Sequence, residues 1–401
     1  MLKHLWKSLW KRKAKNAMIS FEILLIFVVI FGVVVGAMYN YQLYNQPLGF
    51  NSENRWRVNF YITTEGLEKT IPQAHLVDQF RRTISALPEV EAVSFIQFEP
   101  YNTSGFSRDF RRIDSEQKVD ADSLSADDMA QKTLEIRQVS GRWFSELDEK
   151  SGEASAVINR ELAKNLFGGE DPLGKVITNS DPYNKATVVY RVVGVIDDYR
   201  YVGEFKAPGN IVIFRHSALS EPPLSNIVVK VKAGTPRNFE IKLHQQLRLV
   251  RNNIDYDIVL LSEARDEMLR QKAIFFIPPV MISGFLLIMV CFGLFGVLWQ
   301  NVNSRIPELG LRRAVGASSA QIYGQIVTEQ VLLSSLAMAV GMLFLIQLPF
   351  TGIFAKFMDW SSFFLSAGIA MAIIYVVSIA CALYPAWMAS RMSPTDALHY
   401  E

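Results

Sequence analysis

The sequence predicts an α-helical membrane protein with four transmembrane helices and a large α+β extracytoplasmic domain inserted between helices 1 and 2. Three observations predict it. Four uncharged or nearly uncharged apolar stretches are each long enough to cross a bilayer. Positive charge flanks them in an alternating pattern. Between the first two lies a stretch of some 230 residues that alternates strand-like and helix-like patterning.

Each span follows from its residues. A bilayer core requires about 20 apolar helical residues. Residues 19–39, "ISFEILLIFVVIFGVVVGAMY", meet this. Their apolar run exceeds the h-region of a signal peptide, and bulky, polar "YNYQLYNQ" follows in place of a small-residue cleavage site, so a retained anchor is expected. The second span covers 271–299, the third 326–350 and the fourth 361–385, with a short outer loop at 351–360. Acidic Glu263, Asp266 and Glu267 suit the first turns of a helix starting near Ser262 and running into the second span. At about 1.5 Å per residue, Ser262 to Trp299 reaches roughly 57 Å, beyond a core of about 30 Å, and the excess forms a stalk. Pro278 and Pro279 are expected to kink it near the membrane surface.

Charge sets the orientation. Lys3, Lys7, Lys11, Arg12, Lys13 and Lys15 precede the first span and place the N-terminus in the cytoplasm. The 300–325 loop holds Arg305, Arg312 and Arg313, and the tail, 386–401, returns to the same side. Within 1–18, Leu2, Leu5, Trp6, Leu9 and Trp10 recur at helical spacing opposite the lysines, an amphipathic interfacial helix. Trp6, Trp10, Lys11, Arg12 and Lys13 are its expected anchors to membrane lipid. Glu22, one turn into the span, is expected to reach the nearby lysines.

The outer domain, 40–270, contains no cysteine, because Cys291 and Cys381 both lie in spans. Its own apolar core must therefore hold it. "RWRVNFYIT" and "EVEAVSFIQF" alternate as strands around a helical "IPQAHLVDQFRRTISAL". The polar run from Ser104 to Lys132 reads as a loop or insertion. "SAVINRELAKNLFGG" reads as strand then helix, with Asn159 as N-cap and Gly168 as stop. Val- and Ile-rich "ATVVYRVVGVIDDYR", "GNIVIFR" and "NIVVKVKAG" are strands, and "PRNFEIKLHQQLRLV" is a helix.

Catalytic chemistry is not indicated. Gly169 to Lys175 reads G-x-x-x-x-G-K, but a helix precedes it and a strand follows, the reverse of a phosphate-binding P-loop. Val176 stands where the Mg²⁺-binding hydroxyl belongs, and Glu170 and Asp171 would repel phosphate. His75, His216 and His244 are widely spaced, without a zinc or hydrolase motif. A formal net charge of +2 gives no footprint for nucleic acid.

The inner loop carries the functional signal. In "SRIPELGLRRAVGASSAQIYGQIV", Glu308, Arg312 and Arg313 fall within about a turn and a half, beside Leu309, Leu311, Ala314 and Val315. Gly316-Ala317 ends that helix and a Ser cap starts the next. Physically, a docking helix for a soluble partner and an ordinary positive-inside loop both satisfy these residues.

"ELGLRRAVGAS" resembles the E-I-G-x-R-[RK]-A-[LV]-G-A signature of MacB/FtsX-type ABC transporter permeases. The ending "YPAWMASRMSPTDALHYE" is similar to that family's, through Pro385, Ala386, Ala389, Pro394, Ala397, Leu398 and Glu401. "GRWFSELDE…AVINRELAKNLFGGEDPLGKVI…YRVVGVIDDYRY" resembles its extracytoplasmic domain, whereas 50–130 match weakly and Pro307 is unusual. The resemblance implies a non-catalytic permease subunit in a bacterial cytoplasmic membrane. It would bind no cofactor of its own, ATP being bound by a separate ATPase subunit. It would pair with a second permease chain, homo- or heterodimeric, and with a periplasmic adaptor and outer-membrane channel. By the same resemblance Glu308, Gly310, Arg312, Arg313, Gly316 and Ala317 meet the ATPase. Work would be done outside the membrane, on an antimicrobial compound, a peptide or a lipoprotein. Control of a cell-wall hydrolase is the alternative within the family, and an ATPase-independent sensor the alternative outside it.

Overall fold

A computed structural model describes residues 13–61, 73–151, 154–180, 187–216, 226–252, 254–352 and 358–391. Trp6, Trp10, Lys11 and Arg12, the side chain of Lys13 and the motif residues beyond Arg391 lie outside what is described. The chain divides into two compact units, 43–272 and 1–42 with 273–401.

Helix α1 (Lys13–Asn45) leads into the outer unit. There β1 (Arg55–Tyr61), α2 (Gln73–Ser85) and β2 (Val90–Ile96) come first. Next are β3 (Phe106–Arg112), β4 (Val119–Ala126), α3 (Ala130–Leu134) and β5 (Gln138–Gly141). They are followed by β6 (Ala154–Asn159), α4 (Arg160–Phe167), β7 (Val176–Ser180), β8 (Thr187–Ile196) and β9 (Ile211–Arg215). The unit closes with β10 (Asn226–Val231), α5 (Phe239–Val250) and β11 (Asp255–Leu260).

Two layers result. The order β11-β1-β10-β2 is antiparallel throughout, and α2 and α5 cover one face around Trp56, Phe80, Phe95, Phe239 and Leu243. This is a β-α-β-β-α-β unit with β3 to β9 inserted after its second strand. Ile227, Val228 and Val229 are all fully buried because β10 is covered on both faces, which is why "NIVVKV" does not alternate. The insert closes on itself. β4 pairs with β3 and, in parallel, with β9, so β4, β3, β7, β8, β6 and β9 form a six-stranded barrel. Phe110, Ala121, Ile158, Ile177, Val192 and Val212, one from each strand, fill its interior.

Residues 104–132 thus correct the expectation of a loop: they supply two barrel strands and the start of α3. Their inward positions are few, and two are small or polar. Phe110 and Ala121 are buried, and Ser123 donates to the Phe106 carbonyl at 3.1 Å. The polar remainder faces outward, as a half-buried barrel strand permits.

The P-loop look-alike is a strand–helix–turn–strand. Asn159 Oδ1 accepts from Leu162 N–H at 3.1 Å, and Gly168 ends α4 at φ +64°. Lys175 is engaged by Glu170. Asp127 is the polar hub of the outer unit. Its carboxylate accepts from Phe95 N–H at 3.0 Å, Met129 N–H at 3.1 Å and Arg81 at 2.8 Å, tying α2, β2 and α3 together.

α6 (Leu261–Asn303) starts in the outer unit, continues into the second from residue 273, and runs unbroken through Pro278 and Pro279. It is followed by α7 (Ile306–Ala314), α8 (Ser319–Leu345), the short α9 (Gln347–Phe350) and α10 (Trp360–Arg391). Among the described residues, four helices, α1, α6, α8 continued by α9, and α10, have the length and hydropathy to cross a membrane. α1, α8 and α10 share a core around Ile23, Phe27, Leu333, Met338, Phe363 and Ile374. Ser334 hydroxyl to Ser378 hydroxyl, 2.9 Å, links α8 to α10 inside it. α6 adds Leu294, while Ile274, Phe275, Met281, Phe285 and Phe292 stay exposed. The Glu22 carboxylate lies over Gly293 of α6, where a Cβ would meet its Oε1 at 2.1 Å.

The Arg142 guanidinium beside Asp148, with Ser145 N–H and the Ser155 hydroxyl, holds that buried carboxyl down to about 2. A depressed carboxyl stabilises the fold above its ordinary pKa and loses that effect as pH falls through the folded value. With Arg142 half exposed, the contribution is on the order of 1–2 kcal/mol. In urea melts, Asp148→Asn should be less stable than wild type by that margin near neutrality, with the gap closing as pH approaches about 2.

Candidate functional site

The loop between the second and third spans is a built helical elbow. Arg305 precedes α7, and Pro307 sits in its first turn, where a missing N–H costs nothing. Gly316, at φ +105°, ends the helix. Ala317 N–H donates to the Arg312 carbonyl and Gly316 N–H to the Arg313 carbonyl, both at 3.0 Å. These are the paired bonds of a Schellman ending. α8 begins at once with a capping box. Ser318 Oγ accepts from Gln321 N–H at 3.3 Å, and Gln321 Oε1 accepts from Ser318 N–H at 2.9 Å. Both ends of the four-residue turn from Val315 to Ser318 are therefore chemically fixed.

The elbow is fastened from inside. Leu309 packs with Val302 of α6, Ile322 and Ile326 of α8, and Ala386 and Ala389 of α10. Ala386 and Ala389 are 0% and 2% exposed, so the small residues of the tail motif are those that admit Leu309. Gly310 is buried beside it. Arg313 donates to the Ser390 carbonyl, binding α7 to the end of α10.

Five side chains form a closed polar ring around this packing. Arg305 grips Glu329 with two nitrogens, at 2.5 and 3.2 Å. Glu329 accepts from Gln325 at 3.0 Å, and Gln325 accepts from Arg312 at 2.8 Å. Arg312 meets Glu308 at 2.9 Å, and Glu308 returns to Arg305 at 3.7 Å. Arg305 and Glu329 are 11% and 14% exposed, Arg312 and Glu308 39% and 46%. The pair withdrawn from water anchors the ring, and its other half faces solvent.

The structure brings Glu308, Gly310, Arg312, Arg313, Gly316 and Ala317 into one element. Arg312 and Arg313, which the resemblance directs toward a partner, also hold bonds within the chain. Arg305, Gln325 and Glu329 were not among the expected site residues. Gln325 and Glu329, spaced i, i+4 where α8 turns apolar, were the available signal, since a carboxylate there requires a partner. Beside Glu308 and Arg312, the elbow presents an apolar pair outward. Leu311 and Val315, also i, i+4, are 58% and 83% exposed.

Comparison with known proteins places these features. Residues 23–238 match the MacB-like periplasmic core domain, and residues 280–394 match the FtsX-like permease C-terminal family. The ABC transporter permease YknZ of Bacillus subtilis (strain 168) is 24% identical over 295 residues, covering 71% of this chain and 72% of YknZ. The pyoverdine export ATP-binding/permease protein PvdT of Pseudomonas syringae pv. tomato is 23% identical over 406 residues. That match covers 99% of this chain but 58% of PvdT, so the chain spans little more than half of that relative. The crystal structure of the periplasmic region of MacB from Actinobacillus actinomycetemcomitans aligns at 15% identity with a TM-score of 0.39, covering 57% of this chain and 97% of that one.

Removing one partner of a buried ion pair costs about 3–5 kcal/mol, because the other charge remains uncompensated. Arg305→Ala should therefore release α7. Hydrogen exchange over 306–314 should accelerate by at least about tenfold, one 1.4 kcal/mol step, while exchange in β1, β2 and β10 stays at wild-type rates.

Proposed function

Because this chain belongs to the MacB/FtsX-type family of ABC transporter permeases, we propose that its elbow, α7 with the Gly316 turn, is the surface on which a separate ATPase subunit acts. The general role follows from membership: a permease subunit that links ATPase action to an extracytoplasmic domain. The observation that carries the finer reading is the elbow's construction. α7 is fastened to three spans, through Leu309 to α6, α8 and α10, and through the Arg305 ring to α8. A push on its outer side, Leu311 and Val315, is delivered to those spans at once. The matching chemistry on the ATPase is an apolar groove rimmed by acidic groups that complement the solvent-facing side of Arg312.

In this reading the N-terminus, the elbow and the tail are cytoplasmic, and the 40–270 domain does its work outside. ATP is hydrolysed by the partner, because the one P-loop-like stretch here is a glycine-stopped helix with its lysine engaged by Glu170. The uncovered face of α6, with Phe275, Met281, Phe285 and Phe292, meets lipid or a second permease chain. The cargo is an antimicrobial compound, a peptide or a lipoprotein taken from the outer side. An adaptor and an outer-membrane channel carry it onward.

Gly316→Val tests the assignment. A β-branched residue held at φ +105° is strained by at least about 1–2 kcal/mol, which unwinds the turn without touching the ring. The reconstituted complex should still co-purify with its ATPase and retain basal hydrolysis, while the cargo-stimulated part falls several-fold. Wild-type stimulation in the variant would remove the elbow from the coupling path.

A further inference from the structure

The outer unit contains a cleft of about 460 Å³ that the coupling role does not use. Its walls come from Tyr44 in the last turn of α1, from Leu48 and Phe50 just beyond it, and from Glu135, Glu204 and Arg265. Arg265 stands just over one turn into α6, the helix that becomes the second span.

The hydrogen-bonding capacity left at this cleft defines what it accepts. Glu135 is fully engaged: Arg55 and Lys230 both reach it at 3.0 Å, and Asn51 donates to its other oxygen at 2.9 Å. Glu204, 2% exposed, is bound through Oε1 to Nε of Arg265. Its Oε2 has no partner but is sealed from solvent. Arg265 is different. It is 37% exposed, and only Nε is used, so among the described residues its two terminal nitrogens have no acceptor. An arginine positioned by a buried carboxylate on one edge, with its outer edge open, is pre-organised for an oxyanion. The neighbouring Tyr101 is also buried, on a backbone held at φ +67°. A left-handed tyrosine beside a buried carboxylate with one oxygen unmatched is the kind of local cost that accumulates at binding sites.

We propose that this cleft binds an oxyanion, carboxylate or phosphate, on the outer edge of Arg265, with Tyr44, Leu48 and Phe50 receiving the apolar part of the molecule that bears it. Glu204 acts as a positioning residue that keeps the guanidinium in place. The site is built on the two segments of the outer domain that adjoin spans in the chain, 43–51 and 261–272. The anion comes either from a phospholipid headgroup or from a free solute.

Arginine modification distinguishes these sources. The full chain in phosphatidylcholine nanodiscs is treated with phenylglyoxal, and labelling of Arg265 is read by peptide mass spectrometry. Labelling is followed against inorganic phosphate, acetate and dihexanoylphosphatidic acid, with Arg160, 63% exposed on α4 and outside the cleft, as internal reference. Protection of Arg265 by all three probes supports the site with a free solute as source, and protection by the phosphatidic acid alone supports it with a headgroup as source. Saturating levels of every probe leaving Arg265 labelled at its unprotected rate would overturn the proposal. A second variant, Arg265→Lys, keeps the charge beside Glu204 and loses the fork. Binding of the protecting probe, followed by calorimetry, should weaken by about tenfold or more, and unchanged binding would also overturn it.

Discussion

An ion pair drawn largely out of water fixes the elbow, and the proposed action of this permease depends on it. Arg305 and Glu329 are 11% and 14% exposed and meet through two nitrogens and two oxygens. Desolvating two such charges costs several kcal/mol, so their pairing contributes little net stability compared with an apolar pair of the same volume. Its effect is on geometry. Each partner has one low-energy place to be, and Gln325, Arg312 and Glu308 are positioned from there around the ring. A helix held only by Leu309 could slide on its neighbours, but one held by directional bonds moves with them.

The two units need different physics. In the outer unit, without cysteine, β10 is sandwiched between layers and a barrel closes its own edges, so backbone groups and apolar surface are satisfied together. In the membrane unit apolar surface has no water to escape, and close packing with buried hydroxyls takes over. Gly341 admits the ring of Phe27, and Ser334 meets Ser378. One helix, α6, contributes to both cores, through Leu261, Ala264 and Met268 in the first and Leu294 and Val302 further along.

Local chemistry was legible in the sequence. The spans announce themselves because lipid requires unbroken apolar runs, and Gly316, Ser318, Asn159 and Gly168 because a helix end is satisfied by residues within a few positions of it. Long-range pairing was not. Strands β3 and β4 pair with each other locally, but looked like a polar insertion because the partners on their other edges, Asn179 opposite Phe110 and Ile211 opposite Asp122, lie far along the chain. The same applies to the elbow. Its i, i+4 pair of Glu308 and Arg312 was visible, whereas Arg305, just before α7, and Glu329, on α8, are separated by 24 residues. Family resemblance located the loop; only the fold showed that its arginines also serve the chain's own architecture, and that Leu311 and Val315 are what it presents outward.

The central claim is that this outward apolar side of the elbow meets a nucleotide-hydrolysing subunit. A photoactivatable residue at position 315, irradiated in native membranes, tests it most directly. The account predicts a cross-link to a polypeptide that itself binds ATP, with a yield that changes when nucleotide is added. Products confined to lipid, or to a protein with no nucleotide site, would contradict it.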